Sequence, residues 1–247
     1  MVKYILLDLD DTLYPRESGV MQRVSQLILE YMEQRLGLDP DRAAALRRDY
    51  LQRYGTTMRG LREDFQIDAD EYLTYVHDFP VEEILQPNPA LDRMLAEITA
   101  EKILFTNATA EHARRVLAAL GIERHFSRIF DIVFLGYVNK PDRRAYQRVL
   151  EALGAQPEEC LLVDDAARNL RPAKALGMIT VLVGAQKGDD ADFLIDDILE
   201  LGQVVEVANA RRTAVRVLEP PESPASVCEA ANARRAAVRA EELERDG

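Results

Sequence analysis

Five short apolar runs set the strongest limit on how this chain can fold: "VKYILLDL" from Val2, "KILFTN" from Lys102, "IFDIVFL" from Ile129, "CLLVDD" from Cys160 and "MITVLVG" from Met178. Each has the length of a strand, most lack period-two alternation, and helical segments lie between them. Near-continuous apolar strands separated by helices are the pattern of a parallel sheet covered on both faces. The expected fold is therefore α/β, a doubly wound, Rossmann-like parallel sheet. The intervening helices read plainly. "AEHARRVLAALG" from Ala110 places Ala113, Val116, Leu117 and Leu120 on one face and stops at Gly121. "PDRRAYQRVLEALG" predicts a helix with Pro141 at its first position and Gly154 at its end, and "ARNLRPAKALG" a third with Pro172 near its start.

One interval breaks the alternation. From Arg16 to Pro89 no strand-like run occurs; Val20, Val24, Leu27, Ile28, Tyr31 and Met32 follow helical spacing, and further helices are expected at 41–53 and 69–78. The expected organisation is an α/β core from 1–15 and 90–204, an all-helical cap at 16–89 inserted after the first strand, and an Ala-, Arg- and Glu-rich extension at 205–247. That extension carries "ANARRTAVR" at 208–216 and again, nearly unchanged, "ANARRAAVR" at 231–239. It reads as partly helical and weakly anchored, and a scaffold or partner-binding role for it is one alternative function.

The net charge is −12, from 43 acidic and 31 basic residues, which argues against a nucleic-acid polymer or an anionic membrane as partner. A site for a phosphorylated ligand must then supply its own local positive charge. No run approaches a membrane span and no signal peptide is readable, so the expected location is cytoplasmic. Cys160 lies in an apolar run and Cys228 in a polar tail, which suggests neither a disulfide nor a metal site.

The unusual polar residues gather at strand ends. The first strand ends in Asp8-Leu9-Asp10-Asp11-Thr12, the second in Thr106-Asn107, the third region leads to Lys140-Pro141, and the fourth ends in Asp164-Asp165 with Asn169 a turn later. Ligands of open parallel sheets bind beyond the carboxyl ends of the strands. Each feature alone is compatible with a polar turn or a helix cap; together, in this order, they resemble the haloacid dehalogenase superfamily over residues 1–200. "DLDDT", "FTN", Lys140 and "VDDAARN" stand for its four motifs. Within it, "DLDDTLYP", "YGTTMRGL", "FTNA", "KPDRRAY" and "DDAARN" look like the pyrimidine 5′-nucleotidase group, with Ala166 where that group often has Ser.

The residues suit the phosphoryl transfer that this resemblance implies, which needs a nucleophile, neutralised phosphate oxygens and a protonated leaving group. Asp8 can attack and form an aspartyl phosphate; Asp10, two residues on, can act as general acid and then base. Crowded carboxylates call for a cation, most simply Mg²⁺, held by Asp8, the Asp10 carbonyl and Asp165, with Asp164 in or near its coordination sphere. Thr106, Asn107 and Lys140 would bind the phosphate. Thr56, Thr57 and Arg59, in the cap's "YGTTMRGL", are the candidates for reading the rest of the substrate. A halide leaves without a proton, so Asp10 favours ester hydrolysis over dehalogenation. The expectation is a Mg²⁺-dependent phosphatase of nucleoside 5′-monophosphates, pyrimidine preferred. The alternatives are a phosphatase of another small ester (a sugar phosphate, phosphoglycolate or a cofactor phosphate) and, in another class, a phospho-signalling module. His77, His112 and His125 read as ordinary surface or boundary residues.

Overall fold

A computed structural model of the chain describes residues 1–184 and 191–218, with side chains through 211. Cys228 and the second copy of the repeat lie outside the described residues.

Six strands, β1 (Tyr4–Leu7), β2 (Glu101–Phe105), β3 (Phe126–Phe130), β4 (Cys160–Asp164), β5 (Ile179–Val183) and β6 (Phe193–Ile195), form one sheet in the order β3-β2-β1-β4-β5-β6. Every pairing is parallel. β1 sits centrally, with Leu7 opposite Leu104 on one side and Val163 on the other. Strand order reverses between β1 and β4, where ligands of doubly wound sheets bind. Both faces are buried, as the unalternating runs require. Ile5 and Leu7 enter one apolar cluster with Leu104, Val116 and Leu117, while Leu6 enters another with Ile103, Tyr146 and Leu162. Each such fully buried leucine contributes about 1.5–3 kcal/mol.

Five helices without a strand fill the interval after β1: α1 (Val20–Leu36), α2 (Pro40–Tyr54), α3 (Thr57–Phe65), α4 (Ala69–His77) and α5 (Val81–Ile84). Asp39, Thr56 and Asp68 each accept a backbone N–H at the start of α2, α3 and α4, so side-chain caps place the boundaries. The remaining helices are α6 (Pro89–Glu97), α7 (Ala110–Leu120), α8 (Arg143–Leu153), α9 (Ala167–Leu176) and α10 (Leu201–Leu218). Among the described residues no helix is long and apolar enough to cross a membrane.

Four expectations need correcting. The run "IFDIVFL" is not a strand through Leu135. Strand β3 ends at Phe130, because the Asp131 carboxylate accepts the Phe134 and Ala110 N–H groups and turns the chain. Helix α8 begins at Arg143 with Asp142 as its cap, leaving Pro141 outside. Pro172 lies in the interior of α9, where its missing N–H leaves the Arg168 carbonyl without its usual donor. Finally, residues 205–209 do not belong to a loose extension. The first compact unit runs from Met1 to Asn209 and the second from Ala210 to Gly247. Val205 and Ala208 are buried, and the Asn209 amide oxygen accepts the Val2 N–H at 2.7 Å.

Candidate active site

Lys140 organises the strand ends. Its side chain is 1% exposed, and the ammonium donates to Asp8 Oδ1 at 2.8 Å, to Asp164 Oδ2 at 2.7 Å and to the Phe105 carbonyl at 2.8 Å. All three protons are placed, so the carboxyl ends of β1, β2 and β4 converge on one nitrogen. Asn107 fixes the lysine's backbone: its amide oxygen accepts the Lys140 N–H at 2.8 Å and its amide nitrogen donates to the Lys140 carbonyl at 3.2 Å. Burial works against the ammonium's charge, but Asp164 and Asp8 hold its pKa above the ordinary lysine value.

Asp8 extends β1 by one residue, its N–H donating to the Val163 carbonyl. Its Oδ2 has only a long contact, 3.5 Å, from the Thr12 hydroxyl. Burial pushes the Asp8 carboxyl well up, Lys140 pulls it down, and Asp164, Asp165 and Asp10 push it further up. Asp165 is raised to about 6 by burial and by Asp164 and Asp11, against Lys140 and Arg16. Asp164 is fully enclosed; besides Lys140 it takes the Ala166 N–H at 3.0 Å and the Asn169 amide at 2.8 Å. Carboxylate oxygens of Asp8, Asp164 and Asp165 all lie within 4.8 Å of one another. Two carboxyls forced upward beside a third hard-oxygen donor form an environment that a divalent cation relieves.

Asp10 differs from the other carboxylates. Tyr14 donates to its Oδ1 at 2.5 Å, and His112 Nε2 lies 3.8 Å away. Burial pushes its carboxyl up, but His112 and Tyr14 pull it down and prevail. The left-handed backbone of Asp11, at φ 55°, turns the chain so that the Thr12 hydroxyl accepts the Asp165 N–H at 3.1 Å. Thr106 is buried and its hydroxyl accepts the Ala108 N–H at 3.0 Å.

A family model described as haloacid dehalogenase-like hydrolase matches residues 2–177. The chain belongs to the haloacid dehalogenase-like hydrolases. It is therefore an enzyme, and the names of its relatives support a phosphatase. Phosphate metabolism protein 8 of Saccharomyces cerevisiae is 26% identical, over 88% of this chain and 77% of the relative. Glyceraldehyde 3-phosphate phosphatase of Methanocaldococcus jannaschii is 27% identical, over 83% of this chain and 98% of the relative. The solved HAD phosphatase of Thermococcus onnurineus shares the fold, with a TM-score of 0.54 at 22% identity, covering 83% of this chain and 98% of that one.

In this hydrolase, Asp8, Asp10, Asn107 and Asp165 line a cavity of about 510 Å³ that residues of α1 to α4 also line. Thr56 and Thr57 line it from α3 and its cap, with Met21, Val24 and Ile28 from α1 and Tyr72, Leu73 and Val76 from α4. Arg59 is not among its lining residues: it pairs with Asp142 at 3.4 Å and lies over the Tyr54 ring. "YGTTMRGL" has a second task. Gly55, at φ 84°, sits so close that a Cβ there would come within 2.7 Å of Pro141 and 3.0 Å of the Lys140 carbonyl. The Asn139 amide also donates to the Tyr54 carbonyl at 2.8 Å. This loop seats the cap on the lysine loop.

The histidine reading is corrected too. His112 is buried, His77 stacks on it with ring centroids 4.2 Å apart, and both flank Asp10; only His125 is peripheral, bonded to Asp92 at 2.6 Å. His112 sits one turn before Val116, on the apolar stripe of α7, which was a readable signal. Arg16, which pairs with Asp11 at 3.1 Å and Asp165 at 3.2 Å, and Tyr14 were also missed, although both adjoin the Asp-rich motif. Ala166 occupies the cap position of α9 without a side-chain bond, because alanine offers no oxygen to accept a first-turn N–H.

Proposed function

We propose that this enzyme is a Mg²⁺-dependent phosphomonoesterase that works through an aspartyl phosphate on Asp8 and acts on nucleoside 5′-monophosphates, pyrimidine preferred, in the cytoplasm. The observation that carries the chemistry is the single buried ammonium joining Asp8 to Asp164, with a second, differently held carboxylate two residues along on the same cavity wall.

The chain's residues divide the work. Asp8 Oδ2, the freer oxygen, attacks phosphorus as the bond to the leaving oxygen breaks, and Lys140 compensates charge on Asp8 and the phosphoryl oxygens. Asp10 gives a proton to the leaving alkoxide, then takes one from the water that attacks the aspartyl phosphate and frees inorganic phosphate. Held ionised by Tyr14 and His112, Asp10 is ready for that second step; the charge of an arriving dianion favours its protonated form for the first. The metal would be held by Asp8, Asp165 and the Asp10 carbonyl, with Asp164, whose oxygens already accept three donors, beside it. When bound, the metal supplies charge neutralisation for the phosphoryl group.

Replacing Asp8→Asn tests this. Turnover of phenyl phosphate is expected to fall at least about 1,000-fold while the far-UV circular dichroism is unchanged; near-normal turnover defeats the reading. The relative named glyceraldehyde 3-phosphate phosphatase favours a second reading, a small ester without a base. kcat/KM values for nucleotides, sugar phosphates and phosphoglycolate decide between them.

A further inference from the structure

Three arginines line the cavity, and two of them have their charge or donors engaged. Arg16 pairs with Asp11 and Asp165. Arg168 donates to the Leu51 and Gly55 carbonyls at 3.1 and 3.3 Å. Arg47 is different. Its Nη2 donates to the Ser25 hydroxyl at 2.7 Å, its Nε is shut off from solvent with no hydrogen-bond partner, and among the described residues no carboxylate lies within ion-pair distance. Burial lowers its pKa. Arg47 stands on the inward stripe of α2, between Ala43 and Tyr50, and faces the bay formed by Met21, Val24, Ile28, Met58, Leu73 and Val76.

An arginine held by one serine amid apolar side chains is costly to the fold. Such a group in a cavity is explained by a ligand that completes its bonding. A second unsatisfied group agrees: the Thr57 hydroxyl, on a residue only 3% exposed that lines the same cavity, also has no partner. On the phosphatase reading, phosphate sits against Asp8 and Asn107 at the opposite wall, so the acceptor that Arg47 lacks belongs to the leaving group.

We propose that Arg47 is the specificity-determining residue of this site, and that it selects a largely apolar, ring-sized leaving group carrying an oxygen acceptor, a carbonyl or carboxylate, at the end away from the phosphate. This rests on the phosphatase reading above. The apolar bay holds the body of the leaving group, Ser25 fixes the guanidinium, and the fork of N–H groups reads the oxygen.

Phenyl phosphate and 3-carboxyphenyl phosphate differ only in that acceptor. The wild-type enzyme is expected to prefer the carboxylated ester in kcat/KM by roughly 10- to 100-fold, and Arg47→Met to bring that ratio close to one. Arg47→Lys, which keeps the charge but not the fork, is expected to retain part of it. A structural arginine would leave the ratio alone and lower the melting temperature on replacement; here Arg47→Met is expected to melt no lower than wild type. Equal loss for both esters would mean that Arg47 contacts the phosphate, and an unchanged ratio that it contacts neither; each overturns the inference and leaves the phosphatase standing. If neither ester is hydrolysed, the phosphatase reading falls instead. Calorimetric binding of 3-hydroxybenzoate against phenol then decides for Arg47: tighter binding of the benzoate by wild type but not by Arg47→Met supports its role, and equal binding removes it.

Discussion

The two walls of the cavity are built on opposite terms. On the sheet side nearly every charge has its partner within the protein: Lys140 between Asp8 and Asp164, Asp164 also bonded by Ala166 and Asn169, Asp10 held by Tyr14. On the cap side the unpartnered atoms are donors set among apolar side chains, Arg47 Nε and the Thr57 hydroxyl, whereas those on the sheet side are acceptors, Asp11 Oδ1 and Asn169 Oδ1. The ion-paired wall faces a group common to many substrates. The unpaired wall stores unsatisfied donors until a ligand arrives, as a surface that discriminates among leaving groups must.

The contrast breaks first at Lys140. Replacing Lys140→Met leaves Asp8 and Asp164 buried without their cation, and removing one partner of a buried ion pair costs about 3–5 kcal/mol. The expected result is a large drop in the urea midpoint at an unchanged slope, with phenyl phosphate turnover lost. The same substitution at Arg47, a cation without a carboxylate partner among the described residues, is expected to leave stability intact or raise it. If both variants lost similar stability, the two walls would not differ in kind.

The sheet wall was legible in the sequence because its information is local. A strand end followed by Asp-x-Asp fixes where those carboxylates lie, and parallel topology brings all strand ends to one edge whatever lies between. The cap wall was not. Helical spacing says which face of α2 turns inward, yet an arginine there reads as part of a solvated surface unless it is noticed in step with Ala43 and Tyr50. The motif "YGTTMRGL" draws attention to Arg59 in the sequence, although that motif's glycines serve packing. A Cβ at Gly60 would lie 2.1 Å from the Tyr50 ring, and Gly55 presses on the lysine loop. The end of β3 failed for another reason: Asp131 bonds its own downstream backbone, overriding an apolar run whose Val133 and Phe134 remain 47% and 46% exposed.

Where the walls meet, a smaller effect is expected. Gly55→Ala requires a left-handed conformation that alanine disfavours and a Cβ 2.7 Å from Pro141, at a cost of about 1–3 kcal/mol. Because the added Cβ would also lie 3.0 Å from the Lys140 carbonyl, the displacement reaches the sheet wall as well, and kcat for both aryl esters should fall together with their ratio preserved. A changed ratio with unchanged kcat would show that the loop serves the cap wall alone.

The smallest effect tests how firmly the cap's return is tied to the core. Arg115 on α7 donates to both Glu82 oxygens, at 2.8 and 3.0 Å, and to the Phe79 and His77 carbonyls at 2.6 and 3.3 Å. Glu82 is about half exposed, so water screens the ion pair and its share is only a few tenths of a kcal/mol; with the carbonyl bonds, Arg115→Met is expected to lower stability by about 1 kcal/mol. The Arg115 hydrogen bonds, followed by a backbone bond, hold the Glu82 carboxyl at about 2 against an ordinary 4.5. A carboxyl depressed in the folded state stabilises it above the unfolded value, and that contribution is lost as pH falls toward the folded one. The gap between wild type and Arg115→Met in urea melts should therefore be constant above about pH 4.5 and narrow between there and about pH 2. A gap that holds its size into acid would assign the whole effect to the carbonyl bonds, and the clasp would then be as insensitive to charge as the apolar bay it closes.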